Sequence, residues 1–178
     1  MIYKVLDIGC GNRKRDGAIG IDINPRSQAD IIHDLNITPY PFEESTFDEI
    51  YIDNVLEHLH DVIKTLEEIH RIGKPNALVK IIVPYFRSRW ACIDPTHRHF
   101  FSVDSMSYFD PDHIHCQLYD YSLVRFKIEK RIFNETLKNS FFKKIMLMVA
   151  NWKPSSYEWY LSHLYPLDDI TFYLRVCK

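Results

Sequence analysis

The sequence predicts an α/β fold: a doubly wound, mostly parallel sheet with an antiparallel strand near the C-terminus and helices on both faces. Three observations carry that expectation. An apolar run over residues 3–8 ends in Asp7-Ile8-Gly9, and four of the five glycines (Gly9, Gly11, Gly17 and Gly20) crowd into the turn and strand that follow. Glycine marks positive φ or close backbone approach. Residues 55–72 carry a helical repeat, and strand-like runs alternate with helix-like ones along the chain, as in a sheet covered by crossover helices.

Taken in order, residues 3–8 read as a buried parallel strand feeding a turn. Residues 18–23, 29–33 and 47–52 read as the second, third and fourth strands, the third being short. In residues 55–72, Val55, Leu56, Leu59, Ile63, Leu66 and Ile69 recur at three- and four-residue steps, while Glu57, Lys64, Glu67, Glu68 and Arg71 take the other face. Asp61 can cap the second part of this helix, and Gly73 followed by Pro75 stops it. Residues 77–83 form a fifth strand ended by Pro84. Residues 85–116 are rich in His, Asp, Pro and aromatics, with a short helix expected after Ser102. Residues 123–132 alternate as a strand should, residues 137–152 read as helix, and residues 170–176 as a closing strand.

Composition narrows the classes. The chain has 178 residues, 46% of them hydrophobic and 26% charged, an ordinary balance for one globular domain. A net charge of -2 argues against a general nucleic-acid binder, which would show a basic face. The basic runs Asn12-Arg13-Lys14-Arg15 and Phe141-Phe142-Lys143-Lys144 are short and read as solvated loops or local phosphate contacts. Cys10, Cys92, Cys116 and Cys177 are scattered without a CxxC pair, which suits reduced thiols in a cytosolic protein. No signal-peptide pattern opens the sequence, and the longest apolar stretch, residues 145–150, is too short to span a bilayer. A cytoplasmic protein without a membrane span is expected.

Ligands of open α/β sheets bind at the carboxyl ends of the strands, and Asp7, Gly9, Asp22, Asp34 and Asn54 all fall at or just after those ends. In Val5-Leu6-Asp7-Ile8-Gly9-Cys10-Gly11-Asn12 the two glycines let the backbone turn sharply and approach a ligand. Asp22, ending the next strand, can accept two hydrogen bonds from a ribose diol or serve as a turn residue before Asn24-Pro25. The third glycine of a dinucleotide fingerprint is absent, its place held by Lys14. Fewer than ten residues separate Gly11 from the second strand, leaving little room for the helix whose N-terminus would meet a pyrophosphate. This disfavours NAD and favours a cofactor without phosphates.

At these residues the sequence resembles the class I, Rossmann-like methyltransferases that depend on S-adenosylmethionine (SAM), over roughly residues 5–86. Asp7-Ile8-Gly9-Cys10-Gly11 resembles the family's first motif, which borders the methionine and ribose parts of SAM. Gly20-Ile21-Asp22-Ile23 resembles the second, with Asp22 in the ribose-binding place and Ile23 beside it. His33-Asp34-Leu35 resembles the next strand end, which implies that Asp34 meets the adenine amino group and Leu35 packs near the ring. The run from Pro41 to Ile50 resembles the approach to the fourth strand, and Asn54-Val55-Leu56-Glu57-His58 the segment under the sulfonium. Residues 69–76 resemble a helix-to-strand turn, with Asn76 where glycine is more usual. The resemblance implies one methyltransferase domain over residues 1–178, with a cofactor half at about 1–84 and an acceptor-side insertion at about 85–120. It also implies SAM as cofactor, S-adenosylhomocysteine (SAH) as product, and Asp7, Gly9, Cys10, Gly11, Asp22, Ile23, Asp34, Leu35, Asn54 and Val55 as cofactor contacts. The sequence begins at the first strand, without the helices that often cover SAM in this family, and the helix after the first motif is abbreviated. The expectation is either weak cofactor affinity or a partner or later segment acting as lid.

A second constellation is Asp94-Pro95-Thr96-His97-Arg98-His99-Phe100-Phe101-Ser102, in the insertion that commonly builds the family's acceptor pocket. His97 or His99 could take a proton from a hydroxyl acceptor, since imidazole titrates near working pH, or could instead only orient the loop. His58, near the inferred sulfonium, is a further catalytic candidate. The pairs His97-x-His99 and His113-x-His115 invite a metal, but on loops they are unspecific, and no metal is assigned. A hydroxyl of a small molecule or glycan is the first expectation for the acceptor, a protein or nucleic acid the second. A non-catalytic SAM-binding domain and an NAD-dependent oxidoreductase are the rivals from other classes. The aromatic tail (Phe141, Phe142, Trp152, Tyr157, Trp159, Tyr160, Tyr165) reads as packing on the sheet, or as a homodimer surface or acceptor wall.

Overall fold

The computed structural model describes residues 3–134 and 141–178. Strands β1 (Val5–Ile8), β2 (Ile19–Asp22), β3 (Ile31–Ile32), β4 (Phe47–Asp53), β5 (Gly73–Pro84), β6 (Arg125–Asn134) and β7 (Asp169–Cys177) form one sheet in the order β3-β2-β1-β4-β5-β7-β6. Strands β1 to β5 pair in parallel, and β7 runs antiparallel to both β5 and β6. The expected α/β class, a mostly parallel sheet with an antiparallel strand near the C-terminus, is the observed one. Strand order reverses between β1 and β4, so the chain leaves the sheet in opposite directions there and opens a crevice.

Side chains alternate across a strand, and the two faces of this sheet differ. Ile21, Ile8, Ile52, Ile81 and Phe172 are matched in register from strand to strand, and each is at most 1% exposed. Helix α1 (Val62–Ile72) adds Leu66, Ile69 and Ile72 to the same core. The opposite row runs Asp7, Tyr51, Lys80 and Tyr173. No helix fills the loops between β1 and β2 or between β2 and β3, because about ten residues are too few for a full crossover helix. Tyr51, Lys80 and Tyr173 are half-buried, and cations lie over the rings instead. The Arg15 guanidinium is 4.2 Å from the Tyr51 centroid, and the Lys80 and Lys130 ammonium groups are 5.8 and 6.0 Å from that of Tyr173. Such stacking stabilises a half-buried aromatic surface.

The expected helix over residues 55–72 is two pieces. A single 3-10 turn, Leu56–His58, ends at an extended Leu59 (ψ 156), and α1 begins afresh with the Asp61 side chain accepting from the Lys64 N–H. The break shifts the periodicity, so Glu57, expected on the polar face, is 1% exposed. β5 starts at Gly73, directly after α1, and Asn76 adopts φ 65, a left-handed conformation that asparagine tolerates best after glycine. The helix expected over residues 137–152 is α4 (Phe141–Trp152), and residues 137–140 lie outside the described residues. The short helix after Ser102 is a 3-10 turn at Ser107–Phe109. Helices α2 (Arg89–Ile93), α3 (Ile114–Leu118) and α5 (Pro154–Tyr160) have no sequence signal strong enough to have been expected. No described helix is long and apolar enough to cross a membrane.

Candidate active site

Three cavities meet at the carboxyl end of the sheet, and Asn54, at the end of β4 with φ 54, borders all of them. One, of about 310 Å³, is lined by Gly9, Asp22, Ile23, Asp34, Leu35, Asn54 and Val55 among others. A second, of about 390 Å³, is lined by Asp7, Gly9, Cys10 and Gly11 together with Arg13, Arg15 and Asp53. Each of the ten residues expected to touch the cofactor therefore borders one of two adjoining cavities.

Their local geometry shows how the loop is held. Gly9 (φ 65) and Gly11 (φ 51) both need the left-handed region. A Cβ on Gly11 would meet nothing within 4 Å, so the backbone there faces open space in which a ligand can approach. Asp7 is fixed by Arg15, whose backbone N–H and guanidinium donate to its two oxygens at 2.8 and 3.0 Å, while the same guanidinium reaches Asp53 at 2.6 Å. Asp22 accepts from the Gly11 and Asn24 N–H groups, both at 2.8 Å, so it clamps the glycine loop while facing the cavity. Asp34 accepts from the backbone and side chain of Asn36, which hold its carboxyl below the usual range.

The third cavity, of about 460 Å³, is lined by Asn54, Glu57, His58, Pro84, Trp90, Ile93, Asp94, His97 and Asp169. Its floor comes from the 3-10 turn, and its wall from α2 and the loop after it. The Arg98 N–H donates to the Glu57 carbonyl at 2.7 Å and pins the two together. The His58 and His97 rings pack edge to face, with centroids 4.6 Å apart.

Partners settle the imidazole tautomers. The Thr96 hydroxyl donates to Asp94 at 2.7 Å, so its oxygen is left to accept from His58 Nδ1 at 2.9 Å. His97 Nδ1 lies 3.1 Å from the Ala91 carbonyl, which can only accept. In their neutral forms both rings thus carry hydrogen on Nδ1 and keep a lone pair on Nε2. Burial, then the neighbouring His97, holds the His58 pKa below its ordinary value. Glu57 has no hydrogen-bond partner on either carboxylate oxygen among the described residues. Burial, reinforced by the charges of Asp169 and Asp94, pushes its pKa up to about 7.

The histidine pairs are split. His99 turns away, its Nε2 2.9 Å from the Leu59 carbonyl, and does not line the cavity that His97 lines. His113 caps α3, accepting from the His115 N–H, and His115 stacks on Tyr108. Sequence reasoning missed Glu57, Trp90, Ile93 and Asp169 as lining residues, and named Asp94 only as part of the loop motif. For Glu57 a signal existed, its place beside His58, but helical periodicity sent it outward. Asp169 opens the last strand, and nothing in the sequence ties it to this end.

Residues 6–81 match the family model of the methyltransferase domain. No curated protein matches the chain at a significant level. Among solved structures, a SAM-dependent methyltransferase from Archaeoglobus fulgidus is 17% identical, with a TM-score of 0.59 over 97% of this chain and 86% of that one. One from Mesorhizobium loti is 13% identical, with a TM-score of 0.58 over 97% and 90%. A Haemonchus contortus phosphoethanolamine N-methyltransferase bound to phosphomonomethylethanolamine and SAH is 14% identical, with a TM-score of 0.56 over 98% and 48%. At these identities the likeness to solved structures is one of fold, and the family match covers the segment that holds the glycine loop, Asp22 and Asn54. The chain has the fold of the class I, Rossmann-like SAM-dependent methyltransferases, and its residues 6–81 are similar to their methyltransferase domain.

Proposed function

We propose that the chain methylates a hydroxyl of a small molecule or glycan seated in the cavity lined by Glu57, His58, Trp90 and His97. One observation carries this reading: His58 borders both that cavity and the one lined by Asp22, Asp34 and Val55. A side chain with an oriented Nε2 lone pair therefore stands where the two spaces join. Bound SAM supplies an activated methyl group, so the protein's task is orientation and the handling of one proton. Asp22 would hold the ribose diol, Asp34 the adenine amino group, Ile23, Leu35 and Val55 the apolar faces, and the Gly9–Gly11 backbone the methionine part. Trp90 and Ile93 supply an apolar wall for the acceptor, and Nε2 of His58 or His97 can accept its hydroxyl proton. Asp94 and Thr96 keep His58 in the accepting tautomer.

Screening sugars, phenols and small hydroxy acids with methyl-labelled SAM tests the reading, with SAH binding measured by calorimetry. Label transferred to an oxygen, and lost in His58→Ala and His97→Ala, is the expected result. Transfer only to a protein, a nucleic acid or a nitrogen overturns the hydroxyl acceptor. The four free cysteines suit action in the reducing cytoplasm. Phe141, Trp152, Trp159 and Tyr160 are each more than 70% exposed on α4 and α5, and a homodimer through them would bury that surface. A monomer by sedimentation at high concentration overturns the dimer alone.

A further inference from the structure

We infer that Glu57, His58 and His97 form a binding site for a divalent transition-metal cation, open towards the acceptor cavity. Each offers one ligand atom, a carboxylate oxygen or an imidazole nitrogen, and the three atoms lie within 4.8 Å of one another. Two imidazoles and one carboxylate leaving positions free is a donor set that takes Zn²⁺, Fe²⁺ or Mn²⁺. Mg²⁺ prefers oxygen ligands and retained water, so imidazole nitrogens select against it. Ligand bonds of about 2.0–2.2 Å would draw the three groups inward by roughly an ångström.

An independent observation points to a bound cation. Glu57 is 1% exposed, and neither carboxylate oxygen has a hydrogen-bond partner among the described residues. A buried carboxylate without donors is costly unless a cation or a proton offsets it. Among the described residues no lysine or arginine lines this cavity, and its other polar residues are Asn54, Asp94 and Asp169. Two further acids beside Glu57 raise the local negative potential, which favours a cation.

The outer partners are those of ligating histidines. A metal-binding imidazole donates its second nitrogen to a carbonyl or a carboxylate-linked group, which fixes the ring. His97 Nδ1 bonds the Ala91 carbonyl, and His58 Nδ1 bonds Thr96, itself held by Asp94. The lone pairs left on Nε2 belong to rings already packed together. The cation does not depend on the identity of the acceptor. Its placement against an acceptor oxygen rests on the hydroxyl reading above. Ligation would engage the same Nε2 lone pairs, so with the ion bound the cation would acidify the acceptor hydroxyl, whose proton would pass to solvent water rather than to an imidazole.

Calorimetry of the full chain, freed of metal by chelator, with Zn²⁺ and separately with Mn²⁺, tests the site. One ion per chain is expected to bind, about a hundredfold or more weakly in His97→Ala and Glu57→Gln, with the His113→Ala/His115→Ala variant unchanged. Circular dichroism and SAH titration of each variant show that it is folded, and SAH binding reports separately on the methyltransferase reading. No binding of either ion by the wild type, or equal affinity in folded His97→Ala and Glu57→Gln, overturns the site. So does a loss confined to the His113→Ala/His115→Ala variant.

Discussion

A Cβ added to Gly9 would stand 2.2 Å from Cγ2 of Val55. The loop after β1 and the segment after β4 are thus in contact at the switch point, and Gly9 also carries φ 65. Gly9→Ala should destabilise the fold through both terms, the backbone one costing about 1–2 kcal/mol. Val55→Ala should remove the steric term only. The double variant should therefore be more stable in denaturant than the sum of the single changes gives, as coupled neighbours are. Additive behaviour would mean that the two loops do not press on each other.

Asp22→Ala should weaken SAH binding by about 1.5–3 kcal/mol, the cost of losing a charge-assisted hydrogen bond. The same change leaves the Gly11 and Asn24 N–H groups without their acceptor, so the apo protein should melt earlier as well. Calorimetry at a temperature where the variant is folded separates the two effects. Unchanged affinity there excludes Asp22 from the ribose site.

Glu68 supplies a prediction for pH. Burial alone would raise its pKa, but the Arg71 guanidinium and the Tyr40 N–H outweigh burial and leave it lowered. A depressed carboxyl contributes stability above its unfolded pKa of about 4.3, and that contribution is lost as pH falls through the folded value. Glu68→Gln should cost about 1–2 kcal/mol at neutral pH, and the gap to the wild type should close below about pH 4. A gap that stays constant from pH 7 to pH 3 in urea unfolding would show that the charge is not what Glu68 contributes.

The strands, α1 and the glycine loop were legible because short apolar runs, a 3.6-residue repeat and glycine each have one dominant physical cause. Asp61 stood out as a cap, and it starts α1 as expected. The acceptor cavity was less legible. Glu57 faces inward only because Leu59 is extended and restarts the helix, and no local preference announces that break. His97 and His99 look equivalent in sequence, two residues apart. Their separation depends on where the Ala91 and Leu59 carbonyls fall, which only the assembled chain decides.

That separation yields the last prediction. His97 lines the acceptor cavity, whereas His99 spends its Nε2 on the carbonyl of Leu59, the residue that ends the 3-10 turn. Removing the His97 ring takes away a group that can hold a proton or an ion at the acceptor, and turnover on the acceptor found by screening should fall about a hundredfold or more. Affinity for SAH should stay within about twofold, since His97 does not border the two cavities assigned to the cofactor. His99→Ala should instead lower stability by about 1 kcal/mol through the lost hydrogen bond, with KM rising more than kcat falls, because the loop carrying His97 loosens. His99→Gln, which can still reach the carbonyl, should recover part of that loss, whereas His97→Gln should not recover turnover. If His99→Ala proves as slow as His97→Ala while its stability is intact, the two roles assigned here are reversed.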